Sequence, residues 1–191
     1  MFGKKSAVKK TYNEAMLYEY AVGALGRRMR TVAELKRLMR TRVAHQDDGD
    51  ALIEQVTLRL KEQRYLNDTE YAAYYSAIRR DADKFGRLRV VQELKARGVH
   101  QDVIGQAVSE AYGAVDENKL ARQFVERKRL HQPKDQKEAA RIFRMMVRAG
   151  FSSRAISRLL RNWSVEDETL SALEAEREQM EVEHHQEEDE S

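Results

Sequence analysis

Residues 86–112, GRLRVVQELKARGVHQDVIGQAVSEAY, hold the plan on which the chain is built. Leu88, Val91 and Leu94 recur at helical spacing up to Gly98, and a second apolar-striped segment follows to Tyr112. The stretch therefore predicts helix, turn, helix. The plan returns later, where Ile142, Phe143 and Met146 lead to Gly150 and then to Ile156, Leu159 and Leu160. Gly98 and Gly150, Leu94 and Met146, Ile104 and Ile156, and Val108 and Leu160 all stand 52 residues apart. A constant offset of apolar and glycine positions is the mark of an internal repeat. Glycine suits each short turn because it tolerates positive φ at a helix end.

Working outward, Leu17, Tyr20, Ala21, Ala24 and Leu25 form an amphipathic stripe between Tyr12 and Gly26. Thr31 and Glu34 are spaced as a capping box for a helix presenting Leu35, Leu38 and Met39. His45–Asp50 reads as a loop, and Ala51–Gln63 as a helix burying Ile53, Val56 and Leu60. Asn67 or Asp68 is placed to cap a helix over Glu70–Arg80 with the stripe Tyr71, Tyr74, Tyr75 and Ile78. That aromatic spacing predicts core packing in preference to base stacking. A helix over Asp116–Arg129 turns Leu120, Ala121, Phe124 and Val125 inward, and Pro133 ends it.

The expected fold is all-α: an elongated array of three tandem three-helix repeats with short turns. The boundaries read as a basic arm over 1–11, modules over 12–84, 85–132 and 133–164, and an acidic tail over 165–191. Leu170 and Leu173 continue as helix in the tail, and disorder is expected beyond Glu181.

Several functional classes are excluded or left without support. Cysteine is absent from the 191 residues, so thiolate chemistry and disulfides are excluded. There is no apolar run long enough to span a membrane, and no hydrophobic stretch after the basic start. A cytoplasmic, monomeric protein is expected. No phosphate-cradling loop, dinucleotide fingerprint or zinc-protease motif is present, so the reading is of a non-enzyme without catalytic residues, cofactor or resident metal. His184 and His185, between acidic residues, are the only candidates for weak metal binding.

Charge carries more information. Charged residues make up 35% of the chain and the formal net charge is only +3, but residues 166–191 hold twelve Asp and Glu against the single Arg177. A strongly basic body thus bears an acidic tail, and such a body attracts polyanions. Arg141, Arg144 and Arg148 lie opposite the apolar stripe of their helix, as do Arg154, Arg158 and Arg161 on the next. Arg79, Arg80, Lys84, Arg87 and Arg89 form a second concentration, and Lys95 and Arg97 follow within the central repeat. Arginine suits such contacts because its planar fork pairs with phosphate or carboxylate. A direct nucleic-acid binder using residues 154–161 as a recognition helix and a helical adaptor without a DNA role are the alternative readings.

The series Arg30-Thr31-Val32-Ala33-Glu34-Leu35, then Tyr65-Leu66-Asn67-Asp68 with Tyr71-Ala72, then Gly86-Arg87-Leu88-Arg89 with Glu93-Leu94-Lys95-Ala96-Arg97-Gly98-Val99, resembles the RecX family. Arg148-Ala149-Gly150-Phe151-Ser152 is similar to that family's third-repeat signature. The resemblance covers residues 12–163. It implies a regulator, mainly an inhibitor, of the RecA recombinase in DNA repair and the SOS response. Such a protein binds in the groove of the RecA–DNA filament and modulates strand exchange, ATPase and coprotease activities. The partners it implies are the RecA filament and, through basic faces, single- or double-stranded DNA. The loop over 45–50 and the acidic tail depart from the family pattern. The tail reads either as a solvating extension or as a competitor folded onto the basic face.

Overall fold

The computed structural model describes the backbone of residues 10–189 and the side chains of residues 10–179. Most of the basic arm and the side chains of His184 and His185 therefore lie outside the described residues. Among the described residues ten helices account for the fold. They are α1 (Glu14–Leu25), α2 (Val32–Val43), α3 (Gly49–Glu62), α4 (Asp68–Asp81), α5 (Arg87–Ala96), α6 (Gln101–Tyr112), α7 (Glu117–Arg127), α8 (Gln136–Arg148), α9 (Ser153–Arg161) and α10 (Asp167–Asp189). No strand occurs among the described residues. The all-α reading holds, and no described helix is long and apolar enough to cross a membrane.

The chain divides into two compact units, one made of residues 1–74 with 94–107 and the other of 75–93 with 108–191. In the first, α1, α2 and α3 pack on one another. Leu17, Ala21, Leu35, Met39, Ile53, Val56 and Leu60 are sealed between them. Thr31 is the N-cap of α2, and the reciprocal bond from Glu34 completes the expected capping box. In the second unit, Leu120 and Phe124 of α7, Ile142, Phe143 and Met146 of α8, and Ile156 and Leu160 of α9 form one core with Phe151. Phe124 lies 5.4 Å from Phe151 and 6.2 Å from Phe85, centroid to centroid.

Three details depart from the sequence reading. In α5 the sealed residues are Val90 and Leu94, whereas Leu88 is 40% exposed. With apolar residues at 88, 90, 91 and 94, a ten-residue helix leaves its phase open, and the tertiary neighbours decide it. In α4 Tyr71 is buried, but Tyr74 and Ile78 are 58% and 39% exposed, so that stripe is only partly core. The acidic tail, expected to lose order beyond Glu181, forms α10 as far as Asp189. Leu170 and Leu173 enter the core of the second unit, because two leucines at i and i+3 suffice where residues of α7, α8 and α9 already supply the rest.

The 52-residue echo is structural. Leu94 and Met146 are both fully sealed, as are Ile104 and Ile156 to within 1%. Gly98 and Gly150 both adopt positive φ, at 76° and 86°. Each glycine sits at a joint where the C-terminal end of one helix meets the N-terminal end of an earlier one. In the first unit the Thr31 hydroxyl donates to the Arg97 carbonyl at 2.6 Å, and Arg97 pairs with Glu34 at 2.7 Å. In the second unit the Gly86 N–H donates to the Ala149 carbonyl at 2.8 Å and the Leu88 N–H to the Gly150 carbonyl at 3.2 Å. Both joints set carbonyls left over at a helix C-terminus against the positive start of another helix, which suits the backbone dipoles of each. Thr31→Val keeps the shape of this sealed residue but removes its cap and its bond to Arg97. An expected loss of about 1–2 kcal/mol in denaturant unfolding follows.

Candidate functional site: a basic face on α8 and α9

The sequence of α8 and α9 folds into a two-sided plate. Asp135 starts α8 by accepting from the Glu138 N–H at 2.7 Å. Ser152 caps α9 and is itself held by the Glu117 carboxylate, which accepts from the Ser152 N–H at 2.8 Å and from its hydroxyl at 2.7 Å. Gly150 makes the turn between the helices tight. One side is then committed to the core through Ile142, Phe143, Met146, Ile156, Leu159 and Leu160. The remaining surface exposes Arg141, Arg144, Arg148, Arg154, Arg158 and Arg161, all six of the arginines expected there.

These six are not equivalent. Arg161 pairs with Asp167 at 2.6 Å and Arg144 with Glu176 at 3.6 Å, both carboxylates coming from α10. The carboxylate of Asp167 holds the Arg161 guanidinium above its ordinary pKa by a hydrogen bond and its charge. Arg148 donates through Nε to the Arg144 carbonyl at 3.3 Å. Among the described residues no carboxylate pairs with Arg141, Arg148, Arg154 or Arg158. A cavity of about 270 Å³ lies where α10 meets α8, lined by Phe143, Val147 and Leu173 together with Arg144, Arg148 and Glu176.

The second expected concentration is organised otherwise. Arg79 is set among Asp83 at 2.7 Å, Glu93 at 3.0 Å and the Tyr75 hydroxyl at 2.8 Å. Burial acts to lower its pKa, but the hydrogen bonds it donates to Asp83 and Tyr75 and the charge of Glu93 outweigh it and hold the guanidinium firmly charged. Arg89 pairs with the same Glu93 at 2.9 Å, donates to the Arg148 carbonyl at 3.2 Å and lies 4.0 Å over the Phe85 ring. Arg80 forks onto Asp81 and donates to the Ala111 carbonyl. Arg97 belongs to the joint with Glu34. Arg87 and Lys95 are exposed, and no described carboxylate pairs with either. With Arg144 and Arg161, six of the twelve expected residues are thus held within the chain by its own acids.

The sequence carried a signal for part of this, since Asp83 stands four residues after Arg79 and Glu93 four after Arg89. Asp167, Glu176 and Arg177 were not singled out from sequence. Their cue was the helical spacing that puts Arg177 on the same side as Leu170 and Leu173. No group of acidic residues and histidines able to hold a metal occurs among the described residues.

Comparison with known proteins places these features in a family. Residues 67–108, which take in α4, α5 and most of α6, match the family model for the second three-helix domain of RecX. That match groups α4 with α5 and α6, where the sequence reading put a boundary after Lys84. The chain is 31% identical over 140 residues to the regulatory protein RecX of Ralstonia nicotianae, covering 73% of this chain and 83% of that protein. It is 28% identical over 149 residues to the RecX of Bacillus cereus strain B4264, covering 76% of this chain and about half, 53%, of that longer protein. The crystal structure of RecX from Lactobacillus salivarius superposes with a TM-score of 0.61 at 17% identity, over 79% of this chain and 96% of that one. A second RecX crystal structure gives 0.62 at 20% identity, over 78% and 71%.

Proposed function

This chain belongs to the RecX family, and from that premise we propose that it regulates, mainly by inhibition, a RecA recombinase by binding the RecA–DNA filament through the exposed arginines of α8 and α9. The observation that carries the proposal is the set Arg141, Arg148, Arg154 and Arg158, exposed and without a described carboxylate partner on a plate whose other side is locked into a core. Unpaired guanidinium groups on a fixed scaffold give a strong local potential and need no reorganisation to meet an anion. Arg87 extends the contact from α5. Arg79, Arg80, Arg89 and Arg97 contribute less, since their charges are already satisfied within the chain.

In this reading the protein acts as a monomer without catalysis or cofactor, in the cytoplasm. It occupies the filament groove and slows strand exchange together with the ATPase and coprotease activities. Titration against RecA-coated and bare single-stranded DNA at several salt concentrations tests it. The expected result is tighter binding to the coated strand at every salt concentration. Equal affinity for bare DNA with a steep salt slope supports the direct nucleic-acid reading instead, and binding to neither supports the adaptor.

A further inference from the structure

α10 is fastened to the basic plate by more than charge. Leu170 and Leu173 are buried in the core, Arg177 donates to the Ser153 hydroxyl at 2.6 Å, and the Glu174 carboxylate accepts from the buried Ser157 hydroxyl. Ser153 and Ser157 lie one turn apart on α9, so these contacts fix α10 along that helix. The fastening sets two acids in place. Asp167 stands on Arg161 and Glu176 on Arg144, one arginine from each helix of the plate.

Both pairs are exposed, with side-chain exposures of 56% and 77% for Arg161 and Asp167 and of 45% and 50% for Arg144 and Glu176. Exposed pairs of this kind are weak and screened by salt. They are therefore exchangeable while the helix that carries them stays put.

We propose that Asp167 and Glu176 are specificity-determining carboxylates, holding Arg161 and Arg144 in internal ion pairs so that the α8–α9 face admits dense phosphodiester polyanions and discriminates against sparse ones. This rests on the reading of that face as an anion-binding surface. A small or sparsely charged anion meets Arg141, Arg148, Arg154 and Arg158 but must compete with a fixed carboxylate for Arg144 and Arg161. A nucleic-acid backbone brings a charge about every 3.4 Å along each strand, so several phosphates arrive together and take over the two paired arginines. The fixed acids also repel an anion that fails to displace them. Discrimination thus comes from the cost imposed on the wrong ligand as much as from attraction to the right one.

The test uses the full chain, labelled oligothymidylate as the probe, and binding measured across a range of salt. Asp167→Asn with Glu176→Gln removes both carboxylate charges with little change in shape. The double variant is expected to bind the oligonucleotide about tenfold more tightly near 0.1 M salt. Its log–log salt slope is expected to stay within about 0.7, one single-strand phosphate contact, of the parent's, because the strand reaches Arg144 and Arg161 in both proteins. Glu176→Gln alone, far from the start of α10, is expected to give about threefold tighter binding and covers the case in which the double variant melts early. Unchanged affinity in these variants, or a slope steeper by about 1.4, with binding lost in Arg141→Glu/Arg158→Glu, overturns the proposal and leaves the basic face standing. Binding retained in Arg141→Glu/Arg158→Glu overturns the face itself and the proposal with it.

Discussion

Gly150→Ala is expected to destabilise the protein by roughly 3–5 kcal/mol. The residue has a φ of 86°, which costs an ordinary side chain about 1–2 kcal/mol by itself. Space is the larger difficulty. A Cβ there would lie 2.2 Å from the Arg89 backbone nitrogen and 2.6 Å from its Cβ, with the Gly86 carbonyl oxygen at 2.8 Å. Backbone cannot move aside as a flexible side chain does, so the joint between α5 and α8 opens. The hydrogen bonds from Gly86 to Ala149 and from Leu88 to Gly150 are then lost, at about 1 kcal/mol each. The melting temperature should fall by roughly 6–20 °C for a chain of this size. Gly105→Ala is the control, because Gly105 lies inside α6 with nothing within 4 Å of a built Cβ. Alanine there should stabilise by up to about 1 kcal/mol through helix propensity. Thermal unfolding of the two variants side by side decides the matter, and equal effects would remove the joint from the account of stability.

Arg141→Glu combined with Arg158→Glu is expected to weaken binding to RecA-coated DNA by roughly 100-fold. Each reversal removes a charge-assisted contact of about 1.5–3 kcal/mol and adds a repulsion, and two such losses amount to at least two powers of ten. The positions are chosen because both side chains are exposed and no described carboxylate pairs with either, so unfolding stability should stay within about 0.5 kcal/mol of the parent. The dose of protein needed to inhibit RecA-mediated strand exchange should rise in step with the loss of affinity. An unshifted inhibition curve would sink the assignment of this face. Arg79→Glu is a poor probe by comparison. It would set a new carboxylate beside Asp83 and Glu93, and any loss of function would be mixed with damage to that network.

The helices were largely legible because the information that makes them is local. The capping box at Thr31, the apolar spacing of α8 and α9 and the paired glycines act over a few residues, and each is visible in sequence as a pattern. The phase of α5 was not, since whether Leu88 or Val90 turns inward depends on what packs against a helix that is apolar on two sides. Nor was the burial of Leu170 and Leu173, whose partners lie on α8 and α9 and whose own neighbourhood in sequence is rich in acids. The candidate face divides in the same way. Counting arginines located the plate, because helical spacing alone puts Arg141, Arg144 and Arg148 opposite the core. It gave no measure of availability, which depends on acids brought in from α10 or placed one turn away, just past α4 and within α5.

The joints give the chain a start, a middle and a stop. The N-terminal end of α2 is closed by Arg97 and Gly98, and that of α5 by Ala149 and Gly150. α8 closes its own, with the Lys134 N–H on the Glu138 carboxylate and the Glu138 N–H on Asp135. After α2 no such glycine is needed, and the chain turns instead through a loop in which the Gln46 N–H returns to the Val43 carbonyl. The internal copy therefore carries a plug at one end of its second helix and a socket at the other, while α2 and α8 both also close their own N-terminal ends with a side-chain box. Duplication of such a copy leaves every plug with a socket, so the number of repeats can change in evolution without the ends being rebuilt.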